Sequence, residues 1–495
     1  MKTESSNSIA SAVPVEAGAA ESAAASPPFL STRATVVLAL ATIGLFHAAF
    51  LFTPLAGLVG LFLAGLIQLS LQPTGRRTFY LGLAIGIAMY APQLEFFWRI
   101  FGLPAVALWF VLAFWIGLFL LLSRQARLRG GWFVPVLIAC LWTGLEYFRS
   151  ELYYLRFSWL SVGYAFSSSP ALANFGGIGL YGIGFLLALT ASMVVSLPLK
   201  RQIGAQASFL LLLLLVPNWR IESRSPAASA AREIPVAGLQ VEFPVALELP
   251  EILDRFIADH PTAQLIVLPE YTLDGPVPAP LKNWCRKTKR FLVIGGKEVL
   301  NRTEFYDTAF VIGPDGDIVF QQGKSVPIQF FNDGLPATEQ KVWNSPWGRI
   351  GICICYDLSY SRVTDALIRQ GAEALIVPTM DLIEWGRYQH ELHGRVGPVR
   401  STEYDVPVFR VASSGVSQLI NADGTIQSSL PFPEQNQFIQ GTLRLRGNGR
   451  VPWDRALSQI AVAVSFCFAA VSLIGGWRRR KTATSRSEPS PAPVS

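Results

Sequence analysis

A chain of 495 residues with 51% apolar and only 15% charged residues is too poor in charge to be soluble throughout, since soluble chains carry roughly 25%. Its net charge of +7 forms no long basic patch: Arg76/Arg77, Arg124/Arg127/Arg129, Lys200/Arg201 and residues 478–481 are short clusters beside apolar runs, which excludes nucleic acid and points to membrane topology. The five cysteines (Cys140, Cys285, Cys353, Cys355, Cys467) show neither a disulfide framework nor metal-ligand spacing, leaving a single functional thiol as the open reading.

Residues 1–30, rich in Ala, Ser, Pro and Glu, read as a disordered tail, and Glu4, Glu16 and Glu21 are foreign to the basic start of a cleaved signal peptide. Apolar runs follow at 34–52, 54–71, 78–95, 104–122, 131–148, 175–197 and 205–217, with another at 456–476. A bilayer core takes ~20 helical residues, so about seven transmembrane helices are predicted within 31–219 and a final one over 454–477. With the N-terminus in the cytoplasm, loops 72–77, 123–130 and 198–204 and the segment 478–481 are all cytoplasmic, and these hold the basic clusters. The positive-inside bias therefore predicts cytoplasmic termini and an extracytoplasmic region between the last two helices, periplasmic in a bacterium with two membranes. Residues 478–495 start basic and end in a second Ser/Pro tail, expected to be disordered.

The region 233–448 reads as a soluble domain. Runs at 236–241, 265–268, 291–295, 308–312, 350–355, 374–378 and 408–412 have strand character, with helical stretches such as 250–260 and 360–370 between them. Apolar strands separated by helices make a layered α/β fold.

Three segments of this domain carry chemistry. At 265–270 an apolar strand ends at Pro269 and presents Glu270 at its carboxyl edge, where ligand sites of α/β sheets gather. Lys324 follows the turn Asp315-Gly316 and the strand begun by Ile318. At 351–357 a strand runs into Cys355, and Tyr356-Asp357 begins a turn; Cys353, two residues back, is expected on the same face but deeper, in the core. Each alone has a plain structural reading: a solvated carboxylate, a surface lysine, a small buried hydrophobe. Together they are a chemical set, because a thiol accepts an acyl group once a carboxylate takes its proton and an ammonium stabilises the oxyanion. His390 and His393 read as packing or lipid-facing residues, and Trp385 with Leu382 and Ile383 as a loop dipping into the membrane.

The order and local motifs of these segments resemble the nitrilase superfamily, and the chain from about 34 to 480 resembles its membrane branch, the apolipoprotein N-acyltransferases. FSWLSVGY at 157–164 and GLYGIGFL at 179–186 resemble the family's external loop and sixth helix; residues 395–403, ASSG at 412–415 and NADG at 421–424 resemble parts of its catalytic domain. The resemblance implies a nitrilase-type four-layer αββα sandwich on a polytopic bundle of about eight transmembrane helices. It implies Glu270 as general base, Lys324 as oxyanion-stabilising cation and Cys355 as nucleophile, with no cofactor and no metal. Asp333, the nearest acid after Lys324, and Tyr356 and Asp357, after the nucleophile, are candidates to support the set. The implied reaction is ping-pong in the bacterial inner membrane: a membrane phospholipid acylates Cys355, and the thioester passes the chain to the α-amino group of a diacylglyceryl-cysteine on an apolipoprotein. After Lys324 the chain is shorter than the family pattern, with Phe330 near the place of a glutamate. A tethered amidase, an acyl transfer to another acceptor and an inactive lipoprotein-binding paralogue stay open beside it.

Overall fold

The computed structural model describes residues 29–197, 199–215 and 232–486, so most of both expected tails lies outside the described residues. Helices form at every predicted apolar run. In the first part these are α1 (Thr32–Leu51), α2 (Leu58–Leu69), α3 (Gly75–Gln93), the short α4 (Phe96–Phe101), α5 (Pro104–Arg129), α6 (Val134–Tyr147), α7 (Leu180–Ser196) and α8 (Leu199–Leu215). Polar caps set their starts: the Ser31 hydroxyl accepts the Ala34 N–H at 3.2 Å, and that of Thr74 accepts the Arg77 N–H at 3.1 Å. Small residues let α3 and α5 meet backbone to backbone, since a Cβ at Gly86 would fall 2.6 Å from Ala113 Cα. Among the described residues three helices are long and apolar enough to cross a bilayer, Thr32–Leu51, Pro104–Arg129 and Asp454–Trp477. The count of about eight spans thus goes beyond what helix length and composition carry.

The chain then forms β1 (Arg232–Gln240), α9 (Leu249–Asp259), β2 (Leu265–Val267), α10 (Ala279–Thr288), β3 (Phe291–Val299), β4 (Phe305–Ile312), β5 (Ile318–Gly323), β6 (Val342–Ser345), β7 (Gly348–Ile352), α11 (Ser361–Arg369), β8 (Ala374–Thr379), α12 (Arg387–Gly394), α13 (Val396–Tyr404), β9 (Val408–Ala412), β10 (Ser417–Ile420), β11 (Ile426–Leu430), β12 (Gln437–Leu445) and α14 (Asp454–Arg486). The strands make two six-stranded sheets, in the orders β12-β1-β2-β3-β4-β5 and β11-β10-β9-β8-β7-β6. The middle of each is parallel, β1-β2-β3 in one and β7-β8-β9 in the other, flanked by antiparallel strands. Strand alternation sorts the apolar residues between layers. Val236, Val267 and Val293 meet Ile350, Ile376 and Phe409 between the sheets, while Ile266 and Leu292 face Leu253, Phe256 and Trp284 of the helices outside.

The sandwich sits on one end of the bundle. Arg395 donates to the Phe50 carbonyl at 2.6 Å, Tyr388 bonds Gln93, and Glu403 accepts the Leu180 N–H at 2.7 Å. At the far end, Arg77 reaches Thr32, Arg124 the Gln72 carbonyl and Arg127 the Ile67 carbonyl.

Three expectations change. The strand before Cys355 stops at Ile352, and Cys353 packs in the core outside the second sheet while Cys355 belongs to the core between sheets, so the two do not share a face. The two-residue period holds only while the chain stays extended. The last helix runs to Arg486, past the predicted end at 477, because no proline intervenes before Pro489 and Arg and Lys are good helix formers. Strands β10 to β12 and helix α10 also form where no element was read, their polar residues interrupting the apolar pattern.

Candidate active site

The carboxyl ends of four strands converge, as expected for a site in an α/β sheet. Strand β2 leads through Pro269 to Glu270, β5 to Lys324, β7 to Cys355 and β8 to Met380 and Asp381. Strand β3 crosses beneath Glu270 so closely that a Cβ at Gly295 would lie 2.4 Å from Glu270 Cα; only glycine permits the crossing.

Lys324 is the hub. Buried throughout, it donates to Glu270 Oε1 at 2.6 Å and to Asp333 Oδ2 at 2.7 Å, and Asp307 Oδ2 stands 3.5 Å away. Burial opposes its charge, yet Asp333 and Glu270 hold the ammonium well above the ordinary lysine range. Glu270 Oε2 accepts the Met380 N–H at 2.6 Å, and the Cys355 thiol donates to the Met380 carbonyl at 3.5 Å. Burial first, then the Glu270 charge, pushes that thiol well above its usual range. It therefore rests protonated and ionises only as its proton is taken.

Cys355 has φ +50°, a conformation L residues seldom adopt. Asp357 holds it there. Its carboxylate accepts the N–H groups of Ile354 at 3.2 Å, Ser325 at 3.0 Å and Val326 at 2.7 Å, tying the nucleophile turn to the loop behind Lys324. Burial pushes Asp357 up to about 6, with Lys324 and the three N–H donors pulling the other way. Asp333 is fixed in turn by the Tyr271 hydroxyl at 2.9 Å and the Ile328 N–H at 2.6 Å. The Tyr356 hydroxyl donates to the Arg156 carbonyl at 3.4 Å, and its ring meets Trp159 edge-on.

Cys355 is 2% exposed, but it lines an apolar cavity. Phe97, Phe101 and Leu112 of the bundle form one wall, and Phe331, Tyr356 and Trp385 of the sandwich form the other. Trp385 faces this cavity. It is 8% exposed and packs on Phe331 with ring centroids 6.2 Å apart, because burying the indole against the cavity wall removes more apolar area from water. Ile383 is the exposed apolar residue of that loop.

Two family models match the chain: the apolipoprotein N-acyltransferase N-terminal domain over residues 29–193 and carbon-nitrogen hydrolase over 247–446. The apolipoprotein N-acyltransferase of Geobacter metallireducens is 26% identical, aligned over 82% of this chain and 88% of its own. That of Shewanella oneidensis is 24% identical, over 80% and 85%. The chain belongs to the apolipoprotein N-acyltransferases. This family of bacterial membrane enzymes is the membrane branch of the nitrilase superfamily, and the sandwich has the nitrilase-type α/β fold. A solved carbon-nitrogen hydrolase of Helicobacter pylori is similar over 43% of this chain and 89% of its own, at 16% identity and a TM-score of 0.38.

Within this family member, Glu270, Lys324, Cys355 and Asp333 share one cluster, and Asp357 braces it from behind. Asp333 thus meets the lysine although the loop after Lys324 is shorter than the family pattern. The histidines pack: His390 stacks on Phe432 and His393 on Trp159, with centroids 4.4 and 4.6 Å apart. His393 Nδ1 also lies 2.8 Å from Asp381, a buried carboxylate that Arg410 pairs as well. Burial opposes the Asp381 charge, but His393 and Arg410 hold it well below the carboxylate range. Sequence reading missed Asp381 and Asp307. For Asp307 a signal existed, an acid in step with Ala309 and Val311, which face the inter-sheet core. Oxygens of Glu270, Asp307 and Asp333 lie within 4.8 Å of one another, close enough for a shared cation, but the Lys324 ammonium fills that position.

Proposed function

We propose that the chain carries a fatty acyl group from a membrane phospholipid through Cys355 to the N-terminal diacylglyceryl-cysteine of an apolipoprotein. The observation that carries this reading is the thiol's position on an apolar cavity walled jointly by the helix bundle and the sandwich. A hydrocarbon chain enters such a space without meeting water. In the first half-reaction Glu270 takes the Cys355 proton, the sulfur attacks the ester carbonyl, Lys324 stabilises the oxyanion, and the lysophospholipid leaves with the proton from Glu270. In the second, the acceptor amine attacks the thioester, its proton passes to Glu270, and the sulfur departs to be protonated again.

In this reading α1–α3 and α5–α8, within 31–219, cross the membrane with α14 from 454 to 477, and a four-layer sandwich at 233–448 lies on the outer face of a bacterial inner membrane. Both termini are then cytoplasmic. Support comes from the arrangement of charge: Arg77, Arg124 and Arg127 bond groups at the helix ends remote from the sandwich. Donor and acceptor are both lipid-anchored, so neither has to leave the bilayer.

The test is incubation with phospholipid labelled in its acyl chain. The unmodified protein should form an acyl thioester, Cys355→Ser should not, and Cys353→Ser should still do so. A diacylglyceryl-cysteine peptide should then discharge the label as an amide. No adduct on the unmodified protein, or discharge to free fatty acid alone, overturns the proposal.

A further inference from the structure

Asp307 lies beside the Glu270–Lys324 pair, yet the reaction just described gives it no part. It is wholly buried on β4, and its Oδ2 lies 3.5 Å from Lys324 Nζ. Neither of its carboxyl oxygens has a hydrogen-bond donor among the described residues. Such an orphan is rare enough in a folded interior to require a reason.

Its neighbours supply one. Lys297, opposite Asp307 on β3, turns instead to Asp274 and to the rings of Tyr271 and Phe305. Lys324, at the end of β5, gives its short hydrogen bonds to Glu270 and Asp333 and meets Asp307 only as a longer ion pair at 3.5 Å. Asp333 also has the Tyr271 hydroxyl and the Ile328 N–H, and Glu270 has the Met380 N–H. What remains for Asp307 is the Glu270 carboxylate itself, with oxygens of the two groups within 4.8 Å of each other. Two acceptors face each other with no proton between them. Fully ionised, the three carboxyls and one ammonium would leave a buried net charge of −2 (−3 from the carboxylates, +1 from the lysine) beside a thiol that must itself become negative. Carboxyl groups forced together in this way share a proton.

We propose that Asp307 is a neutral carboxylic acid that donates a hydrogen bond to Glu270, so that the general base works as one half of a carboxyl pair. The inference rests on the reading of Glu270 as the base. The proton resides on Asp307 because Glu270 and Asp333 each accept other donors and Asp307 accepts none. Burial, followed by the Glu270 charge, raises Asp307 well above the carboxylate range. Asp307 is then a positioning residue: it orients Glu270 toward Lys324 and Met380 and spares the site a second negative charge as Cys355 ionises. When pH rises far enough to remove its proton, the hydrogen bond is lost and the new charge opposes the thiolate.

The full-length protein in phospholipid vesicles tests this through the rate of Cys355 thioester formation across pH. Asp307→Asn, which keeps a donor and cannot ionise, should stay within about threefold of the unmodified rate at neutral pH. It should also move the alkaline fall in rate to higher pH. Asp307→Ala, which leaves no donor, should slow the step about 10²-fold at every pH below that alkaline fall. An infrared difference spectrum between the unmodified protein and Asp307→Asn should contain the carbonyl band of a protonated, buried carboxylic acid. Asp307→Asn as slow as Asp307→Ala, an unmoved alkaline limb or a missing band would each overturn the proposal. The band needs no turnover, so a protein that made no thioester would sink the acyl-transfer reading while the spectrum still decided this one.

Discussion

Where the sandwich meets the bundle, a second group of buried charges can be set beside the one around Lys324. Arg400 donates to Glu403 at 2.5 Å and to the carbonyls of Leu358 and Ser359; Arg455 donates to Asp365, Asp454 and the Tyr404 hydroxyl. Glu151 accepts the Tyr181 hydroxyl and the Ser361 N–H, and Asp454 accepts the Tyr181 N–H. No buried side-chain atom of these six charged residues lacks a partner, whereas both oxygens of Asp307 do. Both groups hold more acid than base. The junction spreads its excess over backbone donors and two forked guanidiniums, while the Lys324 cluster crowds three carboxyls around one point charge. A saturated network resists rearrangement and locks two units together; one short of donors holds protons that can move.

Removing the central cation should expose that difference most sharply. Lys324→Met leaves Glu270 and Asp333 without their buried partner, and thioester formation should fall by about 10³-fold or more, with stability reduced by about 3–5 kcal/mol. A rate within tenfold of the unmodified protein would show that the cluster is structural. Arg400→Met should lower thermal stability by a similar amount, about 3–5 kcal/mol, while the folded protein keeps its thioester rate within about threefold. Loss of rate with stability intact would erase the distinction between the two clusters.

Asp357 gives a smaller effect with a defined pH dependence. Its pKa is raised to about 6, so it is ionised above that pH and protonated below it. Only the ionised form accepts all three N–H groups that brace the nucleophile turn, so thioester formation should fall as pH drops through about 6. Asp357→Asn should slow the step by about 10- to 100-fold and flatten this acid limb. An acid limb unchanged in the variant would assign it to another group. The smallest effect belongs to the cavity wall: Trp385→Ala should raise the KM for the phospholipid about 3- to 10-fold with little change in the maximal rate. Unchanged donor kinetics would remove the wall from the donor's path.

How much of this was legible beforehand depended on distance along the chain. The apolar runs gave helices at their predicted places, and strands formed at 265–267 and 374–379, because both signals arise from neighbouring residues. Glu270, Lys324 and Cys355 stood out by residue type at the ends of apolar strands, which local sequence also encodes. The span count, the face of Cys353 and the inward turn of Trp385 were not legible, since each depends on what packs against the segment.

The sequence by itself determined which residue types stand at the strand ends, a thiol, an acid and a cation, and the presence of long apolar helices beside a layered α/β domain. Only the tertiary structure decided which carboxyls share the lysine, since Glu270 and Lys324 are 54 positions apart yet 2.6 Å in contact. It also decided that Asp357 braces the turn and that Asp307 lacks a donor. Composition and spacing fix what each segment tends to do alone. Strand register and the closing of one sheet over another fix which side chains share a space without water, and in that space proximity sets their charge.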